Sequence, residues 1–420
     1  MKNKRLKIVK VVFRMSHIIK KSLATLCLSA TFLVTSFASN TLLVNAEENV
    51  KTYGDFIYGE ERNYVYINGY NGQEENVKIP ETINQKKVIS VDISSFKNSK
   101  LKSITLSKNI NSFIGSASQL GNLQAVHVVS DNSAYCEEDG ILYNKNGTEL
   151  VFYPPNRAGN TFKIPDKVVS VLEMGHNKNI QTLTFSKNMS SGPHSMEESN
   201  VKKIIVPKKA KLKWLDDRTF FNCKKLTSIN FPNGFEVIAK QAFEGCVSLS
   251  NIKLPKTLQE IGDSAFEKCT SLKSVTIPKR VYLIGTDAFA STKTKIIKKN
   301  YLKKVKKSGS GYRYVKLACV KQGKKTKSYT LDSIYKMKPS KKKVSFKKNK
   351  TCKLEMKLLA GSKWGILKND VVEYSSSNSK IASVSGKGVV KGKKKGMCTI
   401  RIKLYKNEKI LSCKVKVRVF

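Results

Sequence analysis

One period governs most of this chain. Phe220, Phe243, Phe266 and Phe289 stand 23 residues apart, as do Leu226, Leu249 and Leu272, and Ile229, Ile252 and Val275. Phe231, Leu254 and Ile277 follow, each before a proline (Pro232, Pro255, Pro278), and Ile238, Ile261 and Ile284 close each unit. The unit reads A-F-x-x-C-x-x-L-x-x-I-x-L-P-x-x-L-x-x-I-G. A segment this short cannot bury its own apolar positions, so copies must stack into a solenoid in which each coil buries its neighbours. The L-x-x-I-x-L stretch ends in the two-residue alternation of a strand. Proline then ends that strand where no ladder hydrogen bond is needed.

Degenerate copies carry the array upstream. Leu101, Ile104 and Leu106 form one, Leu123, Val126 and Val128 another, then Ile180, Leu183 and Phe185, then Val201, Ile204 and Val206. Between two of them, residues 139–155 read DGILYNKNGTELVFYPP. Asn146-Gly147 between alternating stretches is a strong hairpin signal, so this segment is expected to project from one coil. Residues 63–79 alternate similarly and suit a cap on the first coil.

Regular cysteines in such an array raise a choice between disulfides, metal ligands and core. At one residue per coil, Cys223, Cys246 and Cys269 should stack about 4.8 Å apart, within reach of a disulfide. Side chains stacked in parallel, however, point alongside one another. Three in a column also cannot all pair. A zinc site needs ligands converging tetrahedrally, and no C-x-x-C or nearby histidine supplies that. The expectation is that these cysteines, with Phe220, Phe243, Phe266 and Phe289, are structural core, and no metal or cofactor is expected.

The pattern resembles the BspA-like leucine-rich repeat of bacterial surface proteins. The residues that carry it are Ala242-Phe243-x-x-Cys246-x-x-Leu249 and its copies, together with the EEDGILYNKNGTELVFYPP insertion, over about residues 53–297. Residues 175–196 lack the A-F-x-x-C element. The resemblance implies a curved solenoid with a strand ladder, in a protein that binds at a surface rather than catalyses.

The last third is different. Residues 351–358, 398–404 and 413–419 alternate, with Cys352, Leu354, Met356 and Leu358, then Cys398, Ile400, Ile402 and Leu404, then Cys413, Val415, Val417 and Val419 on one side. Short alternating strands separated by turns suggest a β-sandwich. Residues 372–402 resemble a group 2 bacterial immunoglobulin-like domain through Tyr374, Ser376, Ser377, Asn378, Ile381, Ala382, Val384, Val390, Gly396, Thr399 and Ile400. Cys319, Cys352, Cys398 and Cys413 allow three disulfide connectivities, and sequence does not choose among them or decide whether any forms.

The expected fold is therefore mainly β, a leucine-rich-repeat solenoid of about 23-residue repeats followed by an immunoglobulin-like sandwich. Residues 1–46 read as an export signal, basic from Lys2 to Lys21, apolar from Leu23 to Val44, with Val44-Asn45-Ala46 resembling a cleavage site. The rival reading is an uncleaved membrane anchor, since the apolar stretch is about long enough to span a bilayer. Residues 47–100 hold capping strands and the first repeat, 101–297 the solenoid with its hairpin near 139–155. Residues 298–334 form a basic linker with uncertain strands around Ser308–Gly311, and 335–420 the immunoglobulin-like domain.

Charge and surface point to partners. Of the formal charge of +47, residues 291–420 carry most, with 39 Lys and Arg against 5 Asp and Glu. Such a single-sign field attracts polyanions. The polyanion-binding candidates are Lys303, Lys304, Lys306 and Lys307, then Lys341, Lys342 and Lys343, then Lys393, Lys394 and Lys395. For an exported protein the expected partners are anionic cell-wall polymers or lipid headgroups. Nucleic acid would meet the same charge but ranks behind them, given export and no nucleic-acid motif. On the solenoid, the outward ladder positions include Ser228, Asn230, Asn251, Lys253, Ser274 and Thr276. Read functionally, this stripe offers hydrogen bonds to a host or bacterial surface protein or glycan. Read structurally, it solvates an exposed sheet face. No catalytic residues are expected: His127, His176 and His194 lie in no catalytic motif, and no G-x-S-x-G, H-E-x-x-H or phosphate-cradling loop is present. The expected function is an adhesin-like, secreted or wall-associated binding protein, with a ligand-free envelope spacer as its rival.

Overall fold

A computed structural model of the chain describes residues 51–298, 302–306, 312–322, 325–360, 363–368, 371–405 and 410–420. The export signal expected over residues 1–46 lies outside them, as do Lys307 and residues 308–311. Of Lys303, Lys304, Lys306 and Cys319 only the backbone is described. The fold is nearly all β: a solenoid of about ten turns, then a β-rich C-terminal region.

The solenoid opens with an antiparallel meander, Lys51–Tyr53, Phe56–Glu60 and Tyr64–Tyr70. Its last strand pairs parallel with Lys86–Asp92, which pairs in turn with Ser112–Ile114. The meander covers what would otherwise be an open parallel edge. The insertion forms the expected hairpin, with Ile141–Asn144 and Glu149–Phe152 antiparallel across Asn146-Gly147 and Tyr135–Glu138 alongside. It does not project, however: Leu142, Leu150 and Phe152 are buried in the core, and Glu149–Phe152 pairs parallel with Ser170–Glu173.

Two parallel ladders run along the coils. The first is built from the expected L-x-x-I-x-L strands: Thr161–Lys163, Thr182–Thr184, Lys203–Ile205 and Ser228–Ile229 stack in order, and Ser274–Ile277 stacks on Lys295–Lys298. The second is made from the end of each unit. Trp214–Leu215, Val237–Ile238, Glu260–Ile261 and Leu283–Ile284 pair in sequence, two residues per coil. Strands this short leave only one buried side chain each to read, which is why Ile238, Ile261 and Ile284 were legible as core but not as a ladder.

Between the ladders, columns of identical side chains fill the interior. Phe220, Phe243, Phe266 and Phe289 stack with ring centroids 5.2–5.3 Å apart and planes within 22°. Cys223, Cys246 and Cys269 are fully buried, and each thiol donates to a carbonyl of the preceding coil, on Met196, Phe220 and Phe243 at 3.0–3.1 Å. Two of the degenerate coils place asparagine at the same position, three residues before Leu101 and Ile180. Asn98 and Asn177 are buried, and their amides donate to the carbonyls of Glu74 and Pro154. In these coils, as in the cysteine coils, a small donor satisfies a carbonyl of the neighbouring coil. Burial pushes the thiols of Cys223 and Cys269 up to about 12, and that of Cys246 well above its ordinary value. They stay protonated and are poor nucleophiles.

Coil spacing is also set by glycine. A Cβ on Gly262 would fall 2.6 Å from the backbone of Ala239 and Lys240, and one on Gly285 within 2.4 Å of the backbone of Gly262 and Asp263. The I-G step is where consecutive coils approach most closely.

At its far end the solenoid's second ladder continues into further strands. Leu283–Ile284 pairs antiparallel with Tyr312–Gln322, and Leu302–Lys306 pairs with that same strand. Further along, Tyr312–Gln322 pairs with Lys363–Leu367 of the sandwich, Val320 opposite Leu367. A single strand thus belongs both to the solenoid's second ladder and to a sandwich sheet, whose order continues through Met356–Ala360 to Ile334–Pro339. The opposing sheet orders Lys343–Phe346, Ile410–Val419, Gly396–Tyr405 and Glu373–Ser376. Leu358, Ile400, Ile402, Leu404, Val415 and Val417 make the sandwich core, and Tyr282 of the solenoid is buried in the same cluster. Cys352, Cys398 and Cys413 are free thiols.

Candidate functional site

The stripe of outward residues lies where the strand alternation put it. Ser228, Asn230, Asn251, Lys253, Ser274 and Thr276 are exposed, while Ile229, Ile252 and Val275 between them are buried. These six are not equivalent. The amide of Asn230 accepts from the Val206 backbone N–H at 3.1 Å and donates to the Val206 carbonyl at 2.7 Å. Its side chain extends the ladder where strand Ser228–Ile229 ends, so its hydrogen-bonding capacity serves the fold.

One coil further, the first ladder opens. Residues 251–254 belong to no strand, although the coil before pairs with Lys203–Ile205 and the coil after with Lys295–Lys298. In this same coil Glu260–Ile261 pairs with both neighbours in the second ladder, and Phe243 and Phe266 remain stacked at 5.2 Å. The opening is therefore confined to one face. There the main chain of residues 251–254 is paired with neither neighbouring coil, and the exposed side chains of Asn251 and Lys253 can donate and accept.

A cleft of about 960 Å³ lies over this break. Asn251, Lys253, Ser274 and Thr276 line it together with Lys256 and Thr257, and Glu373 of the sandwich closes its far side. Four of the six sequence candidates thus meet in one cavity; Ser228 and Asn230 do not line it. Missing from the sequence reading were Lys256, Thr257, Arg280 and Glu373. The first three occupy variable positions of the repeat, and the fourth belongs to another domain.

Arg280 fixes the wall of the cleft. Its guanidinium meets the Glu373 carboxylate in a bidentate pair, Nε to Oε1 at 3.0 Å and Nη2 to Oε2 at 2.9 Å. Nη2 also donates to the Tyr405 hydroxyl at 2.8 Å, and the guanidinium carbon lies 4.3 Å from the centroid of that ring. The hydrogen bonds that Arg280 donates to Glu373 hold the Arg280 pKa above its ordinary value. Lys279 donates to the Gly386 carbonyl at 3.4 Å, a second tie to the sandwich. With Arg280 and Glu373 engaged with each other, the lining charge is set by exposed Lys253 and Lys256 beside hydroxyls and an amide. Such a lining suits hydrogen-bonding ligands with some negative charge.

The polyanion candidates fall on separate loops. Exposed Lys341, Lys342 and Lys343 lead into strand Lys343–Phe346, while exposed Lys393, Lys394 and Lys395 form the turn before Gly396–Tyr405. Lys303, Lys304 and Lys306 sit on strand Leu302–Lys306. Among the described residues each histidine neighbours a carboxylate: His127 and Glu137 at 3.7 Å, His176 and Glu198 at 3.4 Å, His194 and Asp216 at 4.0 Å. Among the described residues no group of three or more His, Cys, Asp or Glu is placed to hold a metal ion, and no helix is long and apolar enough to cross a membrane.

Comparison with known proteins agrees with this architecture. The model of the BspA-type leucine-rich repeat region matches residues 70–139 and 190–312 in six copies. The group 2 bacterial immunoglobulin-like domain matches residues 336–415. Both families are binding or structural modules. Among solved structures, a leucine-rich repeat protein from Eubacterium ventriosum is similar at 19% identity, covering 58% of this chain and 94% of its own, with a TM-score of 0.39. The pneumococcal vaccine antigen PcpA is similar at 13% identity, covering 59% and 98%, with a TM-score of 0.35. A leucine-rich cell surface protein from Faecalibacterium prausnitzii is similar at 17%, covering 62% and 95%, with a TM-score of 0.31. No curated protein matches the sequence.

Proposed function

We propose that this chain, which joins a BspA-type leucine-rich repeat region to a group 2 bacterial immunoglobulin-like domain, is an exported surface-binding protein whose ligand occupies the cleft at the junction of the two. The observation that carries this reading is the break in the first ladder. Residues 251–254 lack ladder pairing where Asn251, Lys253, Ser274 and Thr276 line a cavity of about 960 Å³. That volume is in the range of sites that enclose a small ligand or a segment of a larger one. A surface that only needed to be solvated would gain nothing from opening its ladder on one face while keeping it closed on the other.

The ligand class that fits is a protein segment or glycan rich in hydrogen-bonding groups and carrying some negative charge. The basic C-terminal region, including Lys341, Lys342, Lys343, Lys393, Lys394 and Lys395, would hold the protein near anionic envelope polymers. Lysine rather than arginine favours such delocalised point-charge attraction over bidentate recognition.

One observation favours the spacer reading. The strand Tyr312–Gln322 and the Arg280–Glu373 pair tie solenoid and sandwich together, as a rod would require. The two readings separate on an array of glycans and matrix proteins probed with the full chain in moderate salt. The binding reading predicts saturable capture that falls at least tenfold when Lys253 and Thr276 are changed to alanine, with Asn230→Ala destabilising the fold instead. Capture that is unsaturable, or indifferent to Lys253 and Thr276, refutes it.

A further inference from the structure

A second surface, on one sheet of the sandwich, carries more specific chemistry than the lysine runs. Strands Ile334–Pro339, Met356–Ala360 and Lys363–Leu367 are adjacent in one sandwich sheet, and Lys363–Leu367 is followed by Tyr312–Gln322. The register aligns Lys338, Lys357, Ile366 and Lys321 in one row across the four strands. The neighbouring row aligns Lys336, Leu359 and Trp364. The alternate positions Met356, Leu358, Ala360 and Val320 are buried in the sandwich core, so both rows lie on the opposite, outer face.

Trp364 is the centre of this face. It is 37% exposed, and the Lys338 ammonium stands 4.2 Å from its ring centroid. A shallow hollow of about 430 Å³ is lined by Trp364, Ile366, Lys321, Lys357 and Lys368. The nearest described carboxylate on these strands is Glu355 at the end of the face, where it accepts from the Ser340 hydroxyl at 3.0 Å. The rows of cations are about one residue pair apart along the strands and about 4.8 Å per strand across them. This is a flat grid of point charges around one aromatic plate.

We propose that this face binds an acidic polysaccharide, with Trp364 packing against the apolar face of a sugar ring and Lys321, Lys338 and Lys357 meeting its carboxylate or sulfate groups. Lys338 covers the ring in the free protein and moves from it to the polymer's anion, exposing the plate. Charge complementarity selects a polyanion, and the ring selects among polyanions. A single stranded nucleic acid is read by successive rings stacking successive bases, and the outer rows offer one ring surrounded by lysines. A bilayer is entered by protruding apolar side chains, whereas Trp364 lies in a hollow beneath a lysine.

Trp214 and Trp364 are the only tryptophans in the chain, so a Trp214→Phe variant leaves Trp364 as sole reporter. The full chain would be titrated with polygalacturonate, dextran sulfate, neutral dextran and poly-glutamate, with oligo-thymidylate and phosphatidylserine vesicles alongside. The proposal expects saturable binding of polygalacturonate or dextran sulfate with a change in Trp364 emission; which of the two responds tells carboxylate from sulfate. Neutral dextran should not bind, and poly-glutamate should bind more weakly without the emission change. Trp364→Ala should weaken acidic-polysaccharide binding about tenfold at unchanged salt dependence, while Lys338→Gln with Lys357→Gln should weaken it and flatten the salt dependence. An unchanged Trp364 emission at saturating polysaccharide overturns the proposal without reliance on any destabilised variant. So does an equal emission response to poly-glutamate, to the oligonucleotide or to the vesicles.

Discussion

At the residue scale, the cysteine column settles what kind of protein this is not. Each thiol is enclosed, protonated and hydrogen-bonded to the coil beneath it, so Cys223, Cys246 and Cys269 should ignore a disulfide-exchange reagent in the native state and react only on unfolding. Half-buried Cys136, Cys352 and Cys413 should react first. A thiol titration with the aromatic disulfide reagent, native against denatured, checks this. A carboxylate offers a second test. Burial pushes Glu173 up to about 7, while the Gly175 N–H and Ser195 hydroxyl that it accepts oppose that shift. A folded pKa above the unfolded one means that the native state binds the extra proton, so stability falls as pH rises from about 4.5 to 7 and stays lowered beyond. Glu173→Gln keeps the acceptor and removes the charge. Its stability relative to the natural protein should be unchanged at pH 4 and higher by up to about 3 kcal/mol at pH 8 in denaturant titrations. Much at this scale was legible in sequence: the spacing alone assigned Phe243 and Cys246 to the core. The left-handed turn positions were not, because one column is Asn222, Gly245, Lys268 and Ser291, all with positive φ, and only one of the four announces itself as glycine.

At the scale of elements, the solenoid is a compromise between close stacking and access. Close stacking is enforced at the I-G step. Gly262→Ala would drive a methyl group to 2.6 Å from the Ala239–Lys240 backbone, where no side-chain rotation can relieve it. The expected cost is roughly 2–3 kcal/mol, as for other overpacked sites, read as a lowered unfolding midpoint. Ala239 occupies the equivalent place in the preceding unit, whose coil is also paired on both sides, so the constraint belongs to the close approaches at Gly262 and Gly285 and not to the repeat position as such. The first ladder was legible because its strands alternate over three or four residues. The second was not, since two-residue strands such as Val237–Ile238 have no period to read. The break at residues 251–254 was also invisible: Asn251-Ile252-Lys253-Leu254 has the same pattern as the paired copies, and only the positions of neighbouring coils distinguish it.

At the scale of the molecule, two families of fold are continuous through one strand. Sequence placed a linker near residues 308–311, which lie outside the described residues. Among the described residues the joining surface is made by Tyr312–Gln322, Tyr282 and the Arg280–Glu373–Tyr405 cluster, contacts between positions about 90 to 125 residues apart that no local pattern encodes. A bidentate, half-buried pair of this kind stabilises an interface by roughly 1–3 kcal/mol. Arg280→Ala should therefore separate one calorimetric unfolding transition into two, with the sandwich melting first. It should also lower affinity for any ligand of the cleft, since Glu373 would no longer hold the far wall.

The measurement that bears most directly on this account is amide hydrogen exchange along the solenoid of the full chain, before and after addition of a ligand captured on the array. The account predicts that the amides of residues 251–254 exchange at nearly unprotected rates, while those of Lys203–Ile205 and Ser274–Ile277 are slow, and that ligand slows residues 251–254 selectively. If residues 251–254 are as protected as the coils on either side in the free protein, the ladder is closed there and the proposed site does not exist.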